Sequence, residues 1–132
     1  MKYKPEVKMS LVVKITKQGN TCFIEPVGVI DTETSKTFDE KIQEQIDESI
    51  QVLVLNLEGV EYISSMGLSM IVKAKKRIEE VKGVFMMTNL QPQIQKVFKV
   101  VKALPGLNIF KSMKEADAYL DSVQKGDLKT RK

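Results

Sequence analysis

The stretch VLVLNLEGVEYISSMGLSMI, residues 52–71, changes its hydrophobic period part-way along, and that change decides the fold. Val52 to Leu55 is an uninterrupted apolar run of strand length, which suits a central strand covered on both faces. From Leu68 the apolar positions Leu68, Ile71, Val72, Ile78 and Val81 follow helical spacing. They predict a helix of about four turns, with Gly83 as the left-handed residue that closes it. Ser64 and Ser65 stand where that helix begins. The first N–H groups of a helix lack intrahelical partners, and its aligned peptide dipoles leave partial positive charge there. A serine can therefore cap the helix, and a phosphate on it would be stabilised. Spacing alone leaves both roles open, and Gly67 reads as relief of crowding where helix and strand meet.

Working outward, Leu11 to Ile30 is rich in β-branched and aromatic residues around Gly19-Asn20, the pattern of a hairpin. Asp31, Thr32 and Thr34 offer caps for a helix on which Phe38, Ile42, Ile46 and Ile50 form one apolar stripe. Val84-Phe85-Met86-Met87 predicts another buried strand, and Asn89 to Pro92 a turn. Ile94, Val97, Phe98, Val101 and Leu104 then predict an amphipathic helix stopped by Pro105-Gly106. Leu107 to Phe110 is short enough for an edge strand. Ser112 and Glu115 have capping-box spacing ahead of Ala116, Tyr119, Leu120 and Val123. The expected order is β-β-α-β-α-β-α-β-α, an α/β domain with a mixed, mostly parallel sheet and four to five helices. One domain over residues 9–124 is expected, with flexible basic termini at 1–8 and 125–132.

Composition narrows the chemistry. The chain has 132 residues, with one Cys, no His and no Trp. Without histidine, Ser-His and Cys-His mechanisms are excluded. Cys22 alone makes neither an intramolecular disulfide nor a zinc cluster, and reads as a buried small hydrophobe. Glu58 and Glu61 are the only carboxylates placed as an acid-base pair, and no nucleophile or phosphate-cradling glycine loop supports them. No enzyme activity, catalytic residue, metal or cofactor is therefore expected. The net charge of +4 divides into +2 over residues 1–8, +3 over 125–132 and −1 between them. That distribution fits solubilising tails better than a phosphate-tracking face, so no direct nucleic-acid partner is expected. No apolar run reaches the ~18 residues of a membrane span, and MKYKPEVK lacks the apolar core of a signal peptide. These features predict a cytoplasmic protein without a membrane partner, a monomer or weak dimer.

Residues 52–71 also resemble the central segment of STAS domains, the fold of bacterial anti-sigma factor antagonists. That segment is a buried strand, an acidic residue, then Asp-Ser-Ser/Thr-Gly-Leu at a helix start. Gly28-Val29-Ile30-Asp31, followed by Thr34 and Phe38, is similar to the family's Gly-x-x-Asp loop. VFMMTNLQPQIQKVF, LPGLNIF and SMKEADAYL are similar, in order, to its later strands and helices, so the likeness runs over about residues 10–124.

The resemblance implies a single STAS-like domain and a partner-switching function. In that family the serine after the Asp is phosphorylated by an ATP-dependent serine kinase that is also the anti-sigma factor. The unphosphorylated antagonist binds the kinase and frees the sigma factor, and a serine phosphatase resets it. The matching position makes Ser65 the expected phosphorylation site, and the resemblance nominates Asp31, Asn56, Ser64, Met66, Gly67 and Ser69 for the partner-binding face. Three positions depart from the pattern. Ser64 replaces the Asp before the acceptor, Asn56 replaces the Asp that ends the central strand, and Met66 replaces a small residue. Losing two carboxylates removes negative charge beside a phosphoacceptor, and Met suits adaptable apolar contacts. Two functions stand as expectations: a phospho-switched anti-sigma factor antagonist, and a STAS interaction or scaffold module that is never phosphorylated.

Overall fold

The computed structural model describes residues 11–103 and 118–125. In chain order they form β1 (Val12–Gln18), β2 (Thr21–Ile30), α1 (Thr32–Gln43), β3 (Val52–Asn56), β4 (Val60–Ile63), α2 (Ser65–Glu80), β5 (Val84–Thr88) and α3 (Pro92–Ala103). Residues 118–125 make a further helical stretch. The expected helix stop at Pro105-Gly106, the edge strand Leu107 to Phe110 and the capping box of Ser112 and Glu115 lie outside the described residues. So do the expected flexible termini, apart from Lys125, which is helical.

The five strands build one mixed sheet in the order β1-β2-β3-β5, with β4 also paired to β2. The β1–β2 hairpin is antiparallel, and the β2–β3, β2–β4 and β3–β5 pairings are parallel, as the alternation of strands and helices predicts. The hairpin turns on Gly19-Asn20. Gly19 takes φ +60° at the first of the two central positions, which a side chain would oppose.

β4 is an addition to the expected order. Ile24 pairs with Leu55 and Gly28 with Val60, so β3 and β4 run in succession along β2 with one residue more on their side. Between them the chain turns through Glu58-Gly59, held where the Leu57 N–H donates to the Thr88 carbonyl at 2.9 Å. A second extra residue, Glu61, enters between the Gly28–Val60 and Val29–Tyr62 pairs, where Gly28 takes φ +126° and the register shifts. Val60 to Ile63 is too short for its own periodicity to announce a strand.

Three further expectations are corrected. α1 stops at Gln43, and Ile46 and Ile50 reach the core from turns rather than from the helix. There Asp47 Oδ1 accepts from the Ser49 N–H at 2.8 Å, a local hydrogen bond that competes with helix formation. The left-handed residue after α2 is Lys82, with φ +68°, not Gly83. Gly83 is instead demanded by space, because a Cβ there would lie 2.8 Å from Ile78 Cγ1 and 3.0 Å from the Gln51 carbonyl. Finally, β3 and β5 are not covered on both faces. Leu53 and Leu55 are buried, while Val52 and Val54 are only half-buried, and Val84 and Met86 are exposed.

The core lies on the helix side of the sheet. Cys22, Ile24, Leu53 and Leu55 pack there with Phe38 and Ile42 of α1, Leu68, Ile71 and Ile78 of α2, and Ile94 and Val97 of α3. Burying a side chain such as Phe38 contributes about 2–3 kcal/mol, and this layer sets the ends of α1 and α2 in place. Leu120 in the helical stretch 118–125 joins the same cluster. Among the described residues no helix is long and apolar enough to cross a membrane.

Candidate functional site

Parallel strands deliver their following helices from the same end of a sheet, and here two helix N-termini meet around Ile30. β2 ends at Ile30 and Asp31 caps α1 with extended backbone, φ −107° and ψ −167°. Its carboxylate accepts from the Thr34 N–H at 2.9 Å. The Thr34 hydroxyl accepts from the Asp31 N–H at 2.9 Å and donates to the Val29 carbonyl at 2.7 Å. β4 ends alongside at Ile63, and Ser64 caps α2, its hydroxyl accepting from the Gly67 N–H at 3.1 Å. The Ser64 N–H donates to the Ile30 carbonyl at 2.8 Å. A Cβ on Gly67 would lie 2.6 Å from Ile30 Cγ2, so glycine lets α2 close onto the end of β2.

Asp31, Ser64, Ser65 and Gly67 are thereby brought into one patch. Ser65 is the first residue of α2 and is 0% exposed, and Ser64 is 4% exposed. Met66 and Ser69 are half-buried next to them. The first turn of α2 contains no acidic residue, so partial positive charge from the helix is not offset within the turn. A phosphate on the Ser65 hydroxyl would meet that charge.

Asn56 belongs to a second cluster. Its Nδ2 donates to Glu25 Oε2 at 2.9 Å, and its Oδ1 accepts from the Glu58 N–H at 3.0 Å and from Asn89 Nδ2 at 3.2 Å. Gln91 and Gln93 extend the tie, donating to the Glu58 and Glu61 carbonyls at 2.7 and 3.0 Å. Asn56 thus shapes the β3–β4 loop and ties it to Asn89 in the connection between β5 and α3, while Gln93 makes the bond from α3 itself. A shallow cleft of about 220 Å³ opens beside it, lined by Lys14, Glu25, Val27, Asn56 and Glu58.

Gln124 is a residue that sequence reasoning missed. Its side-chain amide accepts from the Ile63 N–H at 3.1 Å and donates to the Ile63 carbonyl at 3.0 Å, with a further bond to the Leu120 carbonyl at 3.1 Å. Ile63 lies beside Ile30 of β2, and both its N–H and its carbonyl are met by this amide. Gln124 is 3% exposed. Its one sequence signal is a position four residues beyond Leu120, on the apolar side of a helical pattern.

Cys22 is fully buried, and burial pushes its thiol up from the ordinary value of 9.0, with Lys17 partly offsetting, so the neutral thiol is the stable form. The basic run of α2 is solvated and paired: Lys73 with Asp39 at 3.0 Å and Lys75 with Glu79 at 2.7 Å. Among the described residues no group of acidic, Cys or His side chains is placed to hold a metal ion.

Comparison with known proteins agrees with this architecture. The sequence profile of the STAS domain matches residues 12–116. BtrV of Bordetella bronchiseptica, named as an anti-sigma factor antagonist, is 27% identical over 73 residues, a match covering 55% of this chain and 63% of BtrV. The chain therefore matches less than two thirds of that relative's length. The unphosphorylated anti-sigma factor antagonist SpoIIAA superposes with a TM-score of 0.63 at 21% identity, covering 72% of this chain and 84% of that one. The phosphorylated form of SpoIIAA from Bacillus gives a TM-score of 0.59 at 21% identity, over 72% and 87% of the two chains. At such identities the shared property is the fold. With the family profile spanning both helix N-termini and the sheet between them, the chain belongs to the STAS domain family.

Proposed function

We propose that this domain is an anti-sigma factor antagonist in a partner-switching pathway. The observation that carries the proposal is the position of Ser65: it opens α2 beside the start of α1, with Ile30 bonded between the two caps. Family membership, the name borne by BtrV and the fold shared with SpoIIAA support it. The unphosphorylated domain presents Asp31, Ser64, Met66, Gly67 and Ser69 to an anti-sigma factor that is also a serine kinase. Asn56 contributes by holding the β3–β4 loop. The γ-phosphoryl of ATP passes to Ser65 Oγ, the hydroxyl proton leaves to the kinase, and ADP is released. The ester adds nearly two negative charges to a face that had docked as a neutral hydroxyl, and the kinase dissociates. A serine phosphatase hydrolyses the ester and restores the binding face. The cycle needs neither cofactor nor nucleic acid and is set in the cytoplasm, with the antagonist a monomer or weak dimer.

Incubation with the cognate kinase and ATP should add about 80 Da to the peptide spanning residues 63–73, and Ser65→Ala should abolish the gain. Ser65→Asp should lose the binding that Ser65→Ala retains. Phosphate at another residue, or equal binding by the two variants, sinks the switch. The complete burial of Ser65 favours a second reading, a STAS module that binds its partner constitutively and is not phosphorylated. Under that reading both variants bind alike, and substitution of Met66 weakens binding instead.

A further inference from the structure

Successive side chains of a strand point to opposite faces of its sheet, and residues directly across from one another share a face. One face here carries Cys22, Ile24, Leu53 and Leu55 and is covered by the described helices. The register puts Val12 opposite Val27, Phe23 opposite Val54, Val54 opposite Met86 and Val52 opposite Val84, all on the other face. Among the described residues six large apolar side chains are exposed, and four of them, Val12, Val27, Val84 and Met86, belong to this outer face. Phe23, Val52 and Val54 are half-buried between them. Parallel strands ordinarily sit in sheets with both faces covered, so an apolar outer face of this kind is the surface of a contact.

The charges on the face point to its occupant. Lys14 and Glu25 stand opposite each other and are the only charged side chains that β1, β2, β3 and β5 direct to that side. The Glu25 carboxylate also takes the Asn56 amide at 2.9 Å. The rows Thr16-Phe23-Val54-Met86 and Gln18-Thr21-Val52-Val84 carry no charge. A nucleic acid or an acidic peptide selects a face of net positive charge, whereas one cation beside one anion gives a neutral face that does not repel a copy of itself. Self-pairing needs only one such patch, because a two-fold axis presents the same surface from both sides. Four strands about 4.8 Å apart, with outward residues about 6.8 Å apart along each, make a patch of roughly 15 by 20 Å. That is less than the ~800 Å² per partner of a standard interface, so it supports a reversible pair rather than a permanent one. We propose that two copies of this chain pair through the outer face of the sheet, with Phe23, Val54, Val84 and Met86 at the centre of the contact, as a weak dimer. The proposal goes beyond the reading of Ser65 and does not rest on it, since α1 and α2 belong to the layer on the other side of the sheet.

Sedimentation equilibrium of the full-length chain, up to a concentration of about 1 mM, tests the pairing with no other component. A reversible monomer–dimer equilibrium with a dissociation constant on the order of 100 μM is expected. Val84→Lys combined with Met86→Lys, both at exposed positions, should weaken it by about tenfold or more. Val72→Lys, at a similarly exposed valine on α2, should leave it unchanged. In the parent chain the Met86 methyl resonance should move with concentration while that of Met66, in the helix layer, stays in place. A chain that remains monomeric at the highest concentration overturns the proposal, as does self-association that the two lysines leave intact or that Val72→Lys abolishes. A monomer that the two lysines make less stable to urea would mean that the chain's own residues cover the face, and this too overturns the pairing. Should the lysine pair fail to fold, the Met86 and Met66 methyls of the parent still decide. Failure of the phospho-switch reading appears in the kinase assay and leaves this equilibrium untouched.

Discussion

Gly67 lies so close to Ile30 that an added Cβ would fall 2.6 Å from Ile30 Cγ2 and 2.8 Å from the Ile30 carbonyl oxygen. The carbonyl is part of the backbone and already accepts from the Ser64 N–H, so it cannot yield without breaking the joint between β2 and α2. Gly67→Ala should destabilise the domain by about 2–3 kcal/mol despite alanine's better helix propensity. Urea denaturation of the variant checks this, and a gain in stability would contradict the packing described here.

Asp31 has a capping role that separates from any charge contact with a partner. Asp31→Ala should cost about 1–2 kcal/mol by stripping the Thr34 N–H of its acceptor, whereas Asp31→Ser, which can still cap, should stay within about 0.5 kcal/mol of the parent. If the carboxylate is read by the partner, Asp31→Ser should nevertheless weaken binding in calorimetry. Equal binding by parent and Asp31→Ser would confine Asp31 to the cap.

Asn56 donates to Glu25 Oε2 at 2.9 Å, which explains why an amide serves where a carboxylate would not. Asn56→Asp would set two carboxylates face to face and should destabilise the domain by about 1–2 kcal/mol at neutral pH. Glu25→Gln, which removes the second charge, should recover most of the loss. A double-mutant cycle followed by thermal denaturation measures the coupling. A coupling of zero would mean that the two groups do not interact.

The buried thiol predicts how stability responds to alkaline pH. Desolvation raises the Cys22 pKa above 9.0, chiefly because the thiolate is disfavoured in the core, and Lys17 opposes this weakly. A group whose folded pKa is raised stabilises the fold below its unfolded pKa and loses that contribution as pH climbs through the folded value. Stability should therefore decline above pH about 9 more steeply in the parent than in Cys22→Ala. The comparison needs urea midpoints measured across that range, and identical slopes would rule the thiol out as the cause.

Much of this structure was legible from local pattern. A helix cap among Asp31, Thr32 and Thr34, the Gly19-Asn20 hairpin and the switch of period across residues 52–71 all appear where the residues predicted them. Expectations failed where a local pattern had more than one spatial solution. The recurrence Phe38, Ile42, Ile46, Ile50 fits a continued helix, yet Asp47 and Ser49 divert the backbone into turns that still bury both isoleucines. Val84 to Met87 reads as a fully buried strand, yet its alternate residues are exposed because the described helices cover one face of the sheet. In the candidate site, Asp31, Ser64 and Gly67 were visible as cap residues and a small residue at a helix start. The burial of Ser65 and the role of Gln124 were not.

The sequence by itself determined the caps, the hairpin, the apolar face of each helix and the family pattern that nominates Ser65, because each depends on residues within a few positions of one another. Only the tertiary structure decided that Val60 to Ile63 becomes a strand, that Asn56 turns toward Glu25, and that Gln124 meets the N–H and the carbonyl of Ile63 from 61 residues away. Periodicity records which side of an element is apolar. Which distant group satisfies a buried N–H or carbonyl is settled only when the chain has folded that group into reach.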